Sequence, residues 1–258
     1  KKPFISKWSN ITTINLNRKV VADGNQLQVN PFELDVADSS LIAVSSLIRN
    51  SLFYNRFSAD LSAELTVQDS RNKQLLTNGP ESRSQRYGEL LLRWVFNKNF
   101  STKIRGRQGE QGNTSESLVT RNFNFAFTEL EPELTYQYQA KFRVSGRYLY
   151  AQKDNDEEFG TEAATIHQLT VDARYNVVAK NNVTARLSFA DVKYTGNDNN
   201  SLAYAMLAGL RDGDNILWNI TWERRLANNI QVSLTYDGRR TGNNAVIHLG
   251  QAQLRAIF

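Results

Sequence analysis

The chain has 258 residues, of which 40% are hydrophobic and 22% are charged, and its formal net charge is +5. It contains no cysteine, which excludes disulfides and thiolate metal sites, and no long lysine-arginine block that would suggest a nucleic-acid-binding arm. No apolar run approaches the roughly 18 residues of a membrane-spanning helix. The mean hydropathy of −0.50 suits a soluble protein, but a membrane-spanning sheet escapes that test because only every second residue faces lipid.

Alternating apolar and polar residues predict twelve strands, most of them with one apolar face and one polar face. In the third strand, for example, Leu61, Leu65 and Val67 alternate with Glu64 and Thr66. The predicted strands cover residues 11–21, 41–56, 59–71, 87–96, 100–107, 118–137, 140–151, 166–177, 183–194, 216–226, 230–239 and 245–258.

Short turns and longer loops alternate along this series of strands. The short turns lie at residues 57–58, 97–99, 138–139, 180–182 and 227–229, and the longer loops at 22–40, 72–86, 108–116, 153–165, 195–215 and 241–244. One short rim and one long rim are typical of outer-membrane barrels, whereas a soluble sandwich has no reason to keep them. The pattern predicts a single all-β domain over residues 1–258: a transmembrane antiparallel up-and-down β-barrel of about twelve strands, with fourteen possible. It would lie in the bacterial outer membrane with both termini periplasmic.

The sixth predicted strand changes its pattern midway. Phenylalanine occupies every second position over residues 123–127, and the apolar positions then shift to Leu130 and Leu134 near Pro132. A shift of period beside a proline predicts a β-bulge.

Residues 201–210, S-L-A-Y-A-M-L-A-G-L, break the strand pattern. Leu202, Met206 and Leu210 fall at helical spacing, which predicts a short helix inside an outer loop. The helix either packs its apolar side on the barrel mouth, which we favour, or offers a contact to a partner.

The polar faces of the predicted strands carry many charged side chains. If the apolar faces meet lipid, these side chains line the lumen, where unpaired charge is costly, so we expect ion pairs that block or narrow it. The basic excess leaves a small pore favouring anions as an alternative. The predicted lumen-lining charged residues are Asp60, Glu64, Glu89, Arg93, Lys103, Arg105, Arg107, Lys141, Arg143, Arg147, Asp172, Arg174, Arg186, Glu223, Asp237 and Arg255.

The sequence offers little support for catalysis. Its two histidines, His167 and His248, have outward parity, and no serine lies two residues from either one within its strand. An outer-membrane hydrolase that joins a serine and a histidine across strands is the weakest alternative. Metal-ligand spacing and a phosphate-binding glycine loop are both absent from the sequence, so we predict no catalytic residue, metal or cofactor.

The last predicted strand, A-V-I-H-L-G-Q-A-Q-L-R-A-I-F, ends on an aromatic residue. It resembles the closing strand of bacterial outer-membrane β-barrels, whose terminal aromatic is read by the insertion machinery. The resemblance implies that Leu254 and Phe258 form a C-terminal insertion signal and that the insertion machinery is a partner.

Residues 209–239, residues 246–258, the A-Y-A-M-L-A-G-L loop and the L-T-N-G stretch at 76–79 resemble the C-terminal barrel of large outer-membrane proteins of the Bacteroidota. The resemblance covers most of the chain from about Asn50 onward and implies a long periplasmic region before it. We expect an anchor or scaffold subunit of a larger envelope complex for nutrient uptake, secretion or barrel assembly. The expected partners are the lipid bilayer with lipopolysaccharide and other outer-membrane proteins or lipoproteins, without nucleic acid.

Overall fold

The computed structural model describes residues 7–20, 41–58, 60–177, 181–227 and 230–256. These residues form one antiparallel sheet of twelve strands, arranged in sequence order so that each strand pairs with its neighbours along the chain. The strands are β1 (Trp8–Val20), β2 (Leu41–Tyr54), β3 (Leu61–Leu76), β4 (Gly79–Val95), β5 (Phe100–Ser115), β6 (Phe123–Tyr138), β7 (Phe142–Asn155), β8 (Ala163–Val177), β9 (Asn181–Thr195), β10 (Gly213–Ala227), β11 (Ile230–Thr241) and β12 (Ile247–Ala256). A short helix, α1 (Ser201–Leu207), lies between β9 and β10.

The predicted all-β, antiparallel, up-and-down architecture of about twelve strands with one short loop helix is confirmed. Helices in the described part of the chain are too short to span a bilayer. The pairing register runs from β1 through to β12, and no register joins β12 back to β1 among the described residues. Among the described residues, β1 and β12 are therefore the first and last strands of the sheet.

The two faces of the sheet differ in chemistry. We call the face that carries α1 the inner face and the opposite face the outer face. On β3 the outer-face side chains of Leu65 and Val67 are 48% and 59% exposed, whereas Thr66 between them is 1% exposed. The same arrangement recurs along the sheet and forms an apolar band on the outer face: Leu61, Leu65, Val67, Leu90, Leu92, Ile104, Leu130, Leu134, Leu169, Val171, Leu187, Phe189, Ile220 and Leu234. Exposure of so large an apolar area to water would be unfavourable, at about 25 cal/mol per Å², so this surface is expected to be covered by lipid or by another protein.

Several strands extend further than their apolar alternation predicts. The predicted loop over residues 72–86 is instead a two-residue turn at Thr77 and Asn78 between β3 and β4, and the predicted loop over 108–116 is mostly part of β5. The alternation ends because the outer face becomes charged beyond Val67, at Asp69 and Arg71. A ladder of hydrogen bonds needs no apolar face, so the paired strands continue past the apolar band.

The predicted β-bulge in the sixth strand is wrong. The register between β5 and β6 is unbroken from Phe100↔Tyr136 to Asn113↔Phe123, and Pro132 lies opposite Ile104 within it. The apolar positions change because the apolar side chains of β6 lie on the inner face at one end of the strand and on the outer face at the other. The three phenylalanines at 123, 125 and 127 are buried on the inner face, whereas the leucines nearer the other end belong to the outer band.

The helix α1 explains why the inner face of β6 becomes apolar. Its side chains Leu202, Met206 and Leu207 are buried in a cluster with Phe125 and Val192. At the N-terminus the Asn200 side chain accepts a hydrogen bond from the backbone N–H of Ala203, as expected of an N-cap. The helix ends at Leu207, three residues before the predicted end, because Ala208 has a left-handed backbone with φ of 53°.

Candidate functional site

The inner face of β5 and β6 carries three pairs of opposite charges. Register places Arg107, Arg105 and Lys103 of β5 opposite Glu129, Glu131 and Glu133 of β6, respectively. Arg105 Nη2 lies 2.9 Å from Glu131 Oε1, Arg107 Nη1 lies 3.4 Å from Glu129 Oε2, and Lys103 Nζ lies 3.7 Å from Glu133 Oε1. Opposite charges directly across an antiparallel pair stabilise it, so the period-two spacing on both strands produces this pairing.

The middle pair continues across the sheet. Arg147 of β7 lies 3.8 Å from Glu131 and 3.7 Å from Asp172 of β8, and Arg186 of β9 forms an ion pair with the same aspartate. Five residues on five consecutive strands thus form one line of alternating charge. We call it the charge row, and its members are Arg105, Glu131, Arg147, Asp172 and Arg186.

Half of the predicted lumen-lining residues take part in ion pairs. The two outside the sets already described are Glu64, which pairs with Arg49 at 3.4 Å, and Glu89, which pairs with Arg107 at 3.7 Å. Two further acids accept hydrogen bonds from amides: Asp237 from Asn219 and Glu223 from Asn182. Within the described residues, no ion pair is formed by Asp60, Arg93, Lys141, Arg143, Arg174 or Arg255.

Sequence reasoning missed the acidic half of these pairs. Glu129, Glu131 and Glu133 are inner-face residues that the predicted bulge at Pro132 removed from consideration. An unbroken count in twos from Phe123 places all three on the same face as the basic residues of β5, so the signal was present in the spacing.

A second group of contacts joins the sheet to α1, beyond the apolar band. The Lys153 side chain is buried, and its Nζ donates a 2.7 Å hydrogen bond to the backbone carbonyl of Met206. Burial lowers the pKa of Lys153, while the nearby charge of Glu129 raises it and that of Arg107 lowers it. The guanidinium of Arg107 also lies 4.5 Å from the ring centre of Tyr87. The Lys153 hydrogen bond fastens the helix to the inner wall.

Two arginines near the rim of short turns form no ion pair within the described part of the chain. Arg143 of β7 lies directly opposite Arg174 of β8, and like charges in opposed positions repel each other. Both arginines line an open cavity of about 450 Å³ with Arg186, Glu133 and Asp172. The Arg174 Nε donates a hydrogen bond to Asn176 at 3.3 Å. This part of the inner wall has the chemistry to attract anions.

Both histidines belong to the outer face, at the margin of the apolar band. The His167 Nδ1 lies 2.7 Å from the Tyr148 hydroxyl, and the His248 Nδ1 lies 2.8 Å from the Tyr236 hydroxyl. Trp218 adds a further ring 5.8 Å from His248. Among the described residues, no three His, Asp or Glu side chains are grouped to hold a metal ion. The histidines therefore join aromatic clusters.

The two residues of the predicted insertion signal have different outcomes. Leu254 lies on the outer face of β12 and is exposed, as a residue facing lipid or a partner would be. Phe258 lies outside the described residues. The insertion signal stays a prediction.

Comparisons with known proteins give the fold but no family. No protein-family model matches the chain, and no curated protein matches it. The siderophore receptor PirA from Acinetobacter baumannii is similar in structure, with a TM-score of 0.61 and 8% identity over 97% of this chain and 41% of that chain. PirA from Pseudomonas aeruginosa gives a TM-score of 0.61 and 10% identity, over 97% of this chain and 40% of that chain. CdiB from Acinetobacter baumannii gives 0.51 and 10% identity, over 84% and 45%.

The chain spans less than half the length of these three proteins. At this level of identity the likeness concerns the fold alone. The chain has the fold of an outer-membrane β-barrel, as its alternating strands predict.

Proposed function

We propose that this chain forms the membrane-embedded wall of an outer-membrane protein of the Bacteroidota and serves as an anchor and scaffold in a larger envelope complex. One observation carries the proposal. The outer face presents an exposed apolar band, while the inner-face acids of β6 each meet a basic partner across the neighbouring strand. Where charges compensate one another in this way, as between β5 and β6, the wall holds its shape and offers few free groups for chemistry.

The height of the apolar band supports the membrane location. On β8 the outer-face residues run from Tyr175 at one margin to His167 at the other. The eight steps from residue to residue, at about 3.4 Å each, span about 27 Å along the strand, and a tilt of about 40° reduces this to roughly 20 Å. That height is close to the roughly 25 Å apolar band of outer-membrane barrels.

Aromatic residues mark both margins of the band. Tyr148, Tyr236 and the two histidines lie at the margin nearer α1, and Trp94 and Phe100 lie at the opposite margin, near the short turns. Amphipathic rings prefer the membrane–water interface. Short turns are typical of the periplasmic side of such barrels, so the proposal puts the short turns, the start of β1 and the end of β12 on that side. The α1 side would then meet lipopolysaccharide.

The scaffold role is tested by isolating the natural full-length protein from its own outer membrane after mild cross-linking. We expect another outer-membrane protein or lipoprotein to be recovered in fixed proportion. An abundant porin from the same membranes, purified in the same way, controls for random neighbours. Recovery of a solitary protein, with no neighbour beyond those of the porin, would contradict the scaffold proposal.

A narrow channel that prefers anions is the second candidate, and the opposed arginines Arg143 and Arg174 favour it. Single-channel recording of the full-length protein in planar bilayers separates the two functions. A channel predicts anion-selective steps that weaken in the double variant Arg143→Gln with Arg174→Gln. Absence of conductance would support the scaffold.

The proposal also holds that the chain is not a hydrolase. His167 and His248 each form a hydrogen bond to a tyrosine hydroxyl on the outer face. The Nδ1 atom of each imidazole takes part in that bond, and the bond involves no serine. Replacing either histidine by alanine should leave phospholipid release from the membrane unchanged. A loss of lipid hydrolysis in either variant would instead establish an enzyme.

A further inference from the structure

The edges of the sheet are long strands that present a full row of backbone groups. β1 contributes Trp8–Val20 and β12 contributes Ile247–Ala256, and each pairs on one side only among the described residues. An unpaired edge is a template for further strand pairing. Inside a bilayer each unsatisfied N–H or C=O costs several kcal/mol, so a membrane location requires that both edges have partners.

The exposure of the β12 side chains indicates that the edge of this strand away from β11 is uncovered. All ten of its residues are exposed, including Gln251 and Gln253 of the inner face. On the adjacent β11, which has neighbours on both sides, the inner-face residues Ser233 and Thr235 are half-buried. The difference arises because no described strand lies beside the second edge of β12.

The inner face next to this edge is unusually apolar. Ile247 and Leu249 of β12 point inward and are 51% and 63% exposed. With Leu217 of β10 they line an open cavity of about 420 Å³. Among the described residues these side chains have no neighbour on the far side of β12, so the patch is open to contact with further protein there.

The opposite edge has polar groups on the face that should meet lipid. On the outer face of β1 and β2, the Asn10 side-chain amide donates to Asn50 Oδ1 at 3.0 Å, and the Asn50 amide donates to Thr12 Oγ1 at 2.7 Å. The corresponding outer-face positions on β3 are Leu65 and Val67. Polar clusters in the bilayer are typical of surfaces that contact other protein.

The chain is similar in structure to part of a longer polypeptide. Almost the whole chain, 97%, superimposes on only 41% of a PirA siderophore receptor with a TM-score of 0.61. In that receptor, the length beyond the matched part belongs to the same polypeptide.

From these observations we infer that β1 and β12 are not neighbours and that each pairs with further antiparallel membrane-spanning strands of the same polypeptide. The inference rests on the proposed membrane location but not on the scaffold role. β1 and β12 are antiparallel to each other, so an even number of added strands completes the wall. The apolar patch beside β12 and the polar cluster beside β1 then contact the added part of the protein.

The absence of cysteine from these 258 residues makes disulfide scanning a direct test. Gln253→Cys is combined in turn with a cysteine at each inner-face position of β1 from Ser9 to Asn17, in the full-length protein within its outer membrane. The matched control joins Gln253→Cys to Ser233→Cys, its register partner on β11. Directly opposed residues lie about 4.5–5.5 Å apart between Cα atoms, within disulfide range.

We expect a disulfide in the control after oxidation and none in any β1–β12 combination. A β1–β12 disulfide within one chain would establish closure as a twelve-stranded barrel and overturn the inference. A β1–β12 disulfide between two chains, seen as a covalent dimer, would assign the edges to a second copy and also overturn it.

A photo-cross-linking residue at position 253 gives the positive test. Mass spectrometry should identify its partner as a peptide of the same polypeptide outside residues 1–258. A cross-link to β1, to a different protein or to nothing, while the same residue at position 233 cross-links to β12, would overturn the inference. This cross-link is formed within one polypeptide. Its outcome is therefore independent of whether the scaffold test recovers other envelope proteins.

Discussion

Glu131 is the residue on which the charges of the inner wall converge. It lies 2.9 Å from Arg105 and 3.8 Å from Arg147, and its side chain is only 15% exposed. The two arginines would repel each other without it, because each would keep its charge in a partly desolvated position. The carboxylate therefore joins β5 to β7 across the strand between them.

Glu131→Gln should lower the free energy of unfolding by about 1–2 kcal/mol, less than for a fully buried pair because both arginines are partly solvated. Urea unfolding of the protein refolded into lipid vesicles measures the change. Glu110→Gln is the control, since Glu110 is exposed on the outer face of β5 beyond the apolar band. An equal effect in both variants would contradict the role of Glu131.

Lys153 predicts a dependence of stability on alkaline pH. Because burial lowers the pKa of Lys153 in the folded state, the folded protein binds fewer protons than the unfolded chain between that lowered pKa and the ordinary lysine pKa. The free energy of unfolding therefore rises with pH through this window. Lys153→Met should lack that rise, and thermal unfolding of both proteins across the alkaline range provides the comparison. Parallel pH profiles would show that Lys153 does not titrate differently on folding.

At the scale of elements, α1 is stabilised by the packing of its side chains on the sheet, because so short a helix has little stability of its own. A helix of seven residues is unstable alone in water, so burial of Met206 and its neighbours against β6, β8 and β9 maintains it. The amide cap at Asn200 and the lysine on the Met206 carbonyl satisfy backbone groups at its two ends.

Met206→Ala should release α1 from the wall, because removal of a fully buried side chain of this size costs about 2–5 kcal/mol. Limited proteolysis of intact cells or vesicles should then cleave the loop at residues 196–212 faster than in the original protein. Tyr204→Ala alters the same helix at a position that is 76% exposed, and its cleavage rate should stay unchanged. Similar rates in the two variants would indicate that packing does not hold the helix.

Period-two alternation predicts the strands wherever one face is apolar and the other is polar, as in the first part of β3. It failed where the contrast between faces changed. Beyond Val67 both faces are polar, so β3 was cut short, and at Phe125 the inner face is apolar, so β6 was assigned a bulge. The contact between α1 and β6 joins distant parts of the chain, and local pattern could not show it. The paired glutamates of β6 are missing from the predicted lumen-lining residues because the predicted bulge interrupts the count along that strand.

At the scale of the whole molecule, the outer face determines whether the sheet can reside in a membrane. Leu187 lies near the middle of the apolar band on β9 and is 54% exposed. A basic side chain at this depth must lose its hydration or distort the lipid around it.

Leu187→Arg should destabilise the membrane-inserted protein by about 2–4 kcal/mol, the range for a basic residue at the bilayer midplane. The fraction of protein that migrates as a folded, heat-modifiable band from outer-membrane extracts measures this loss. Glu110→Arg places the same side chain on the outer face beyond the band and should insert normally. Normal insertion of both variants would mean that this face does not contact lipid.

The hairpin of β3 and β4 has a practical consequence for detecting the protein on living bacteria. From Val67 to its turn at Thr77 and Asn78, the hairpin rises roughly 25 Å past the apolar band at about 3.4 Å per residue and a tilt of about 40°. An epitope tag inserted between these two residues should therefore bind antibody on unbroken cells. A tag in the turn at Lys98 should bind antibody only after the envelope has been opened. The reverse labelling would show that the protein has the opposite orientation in the membrane.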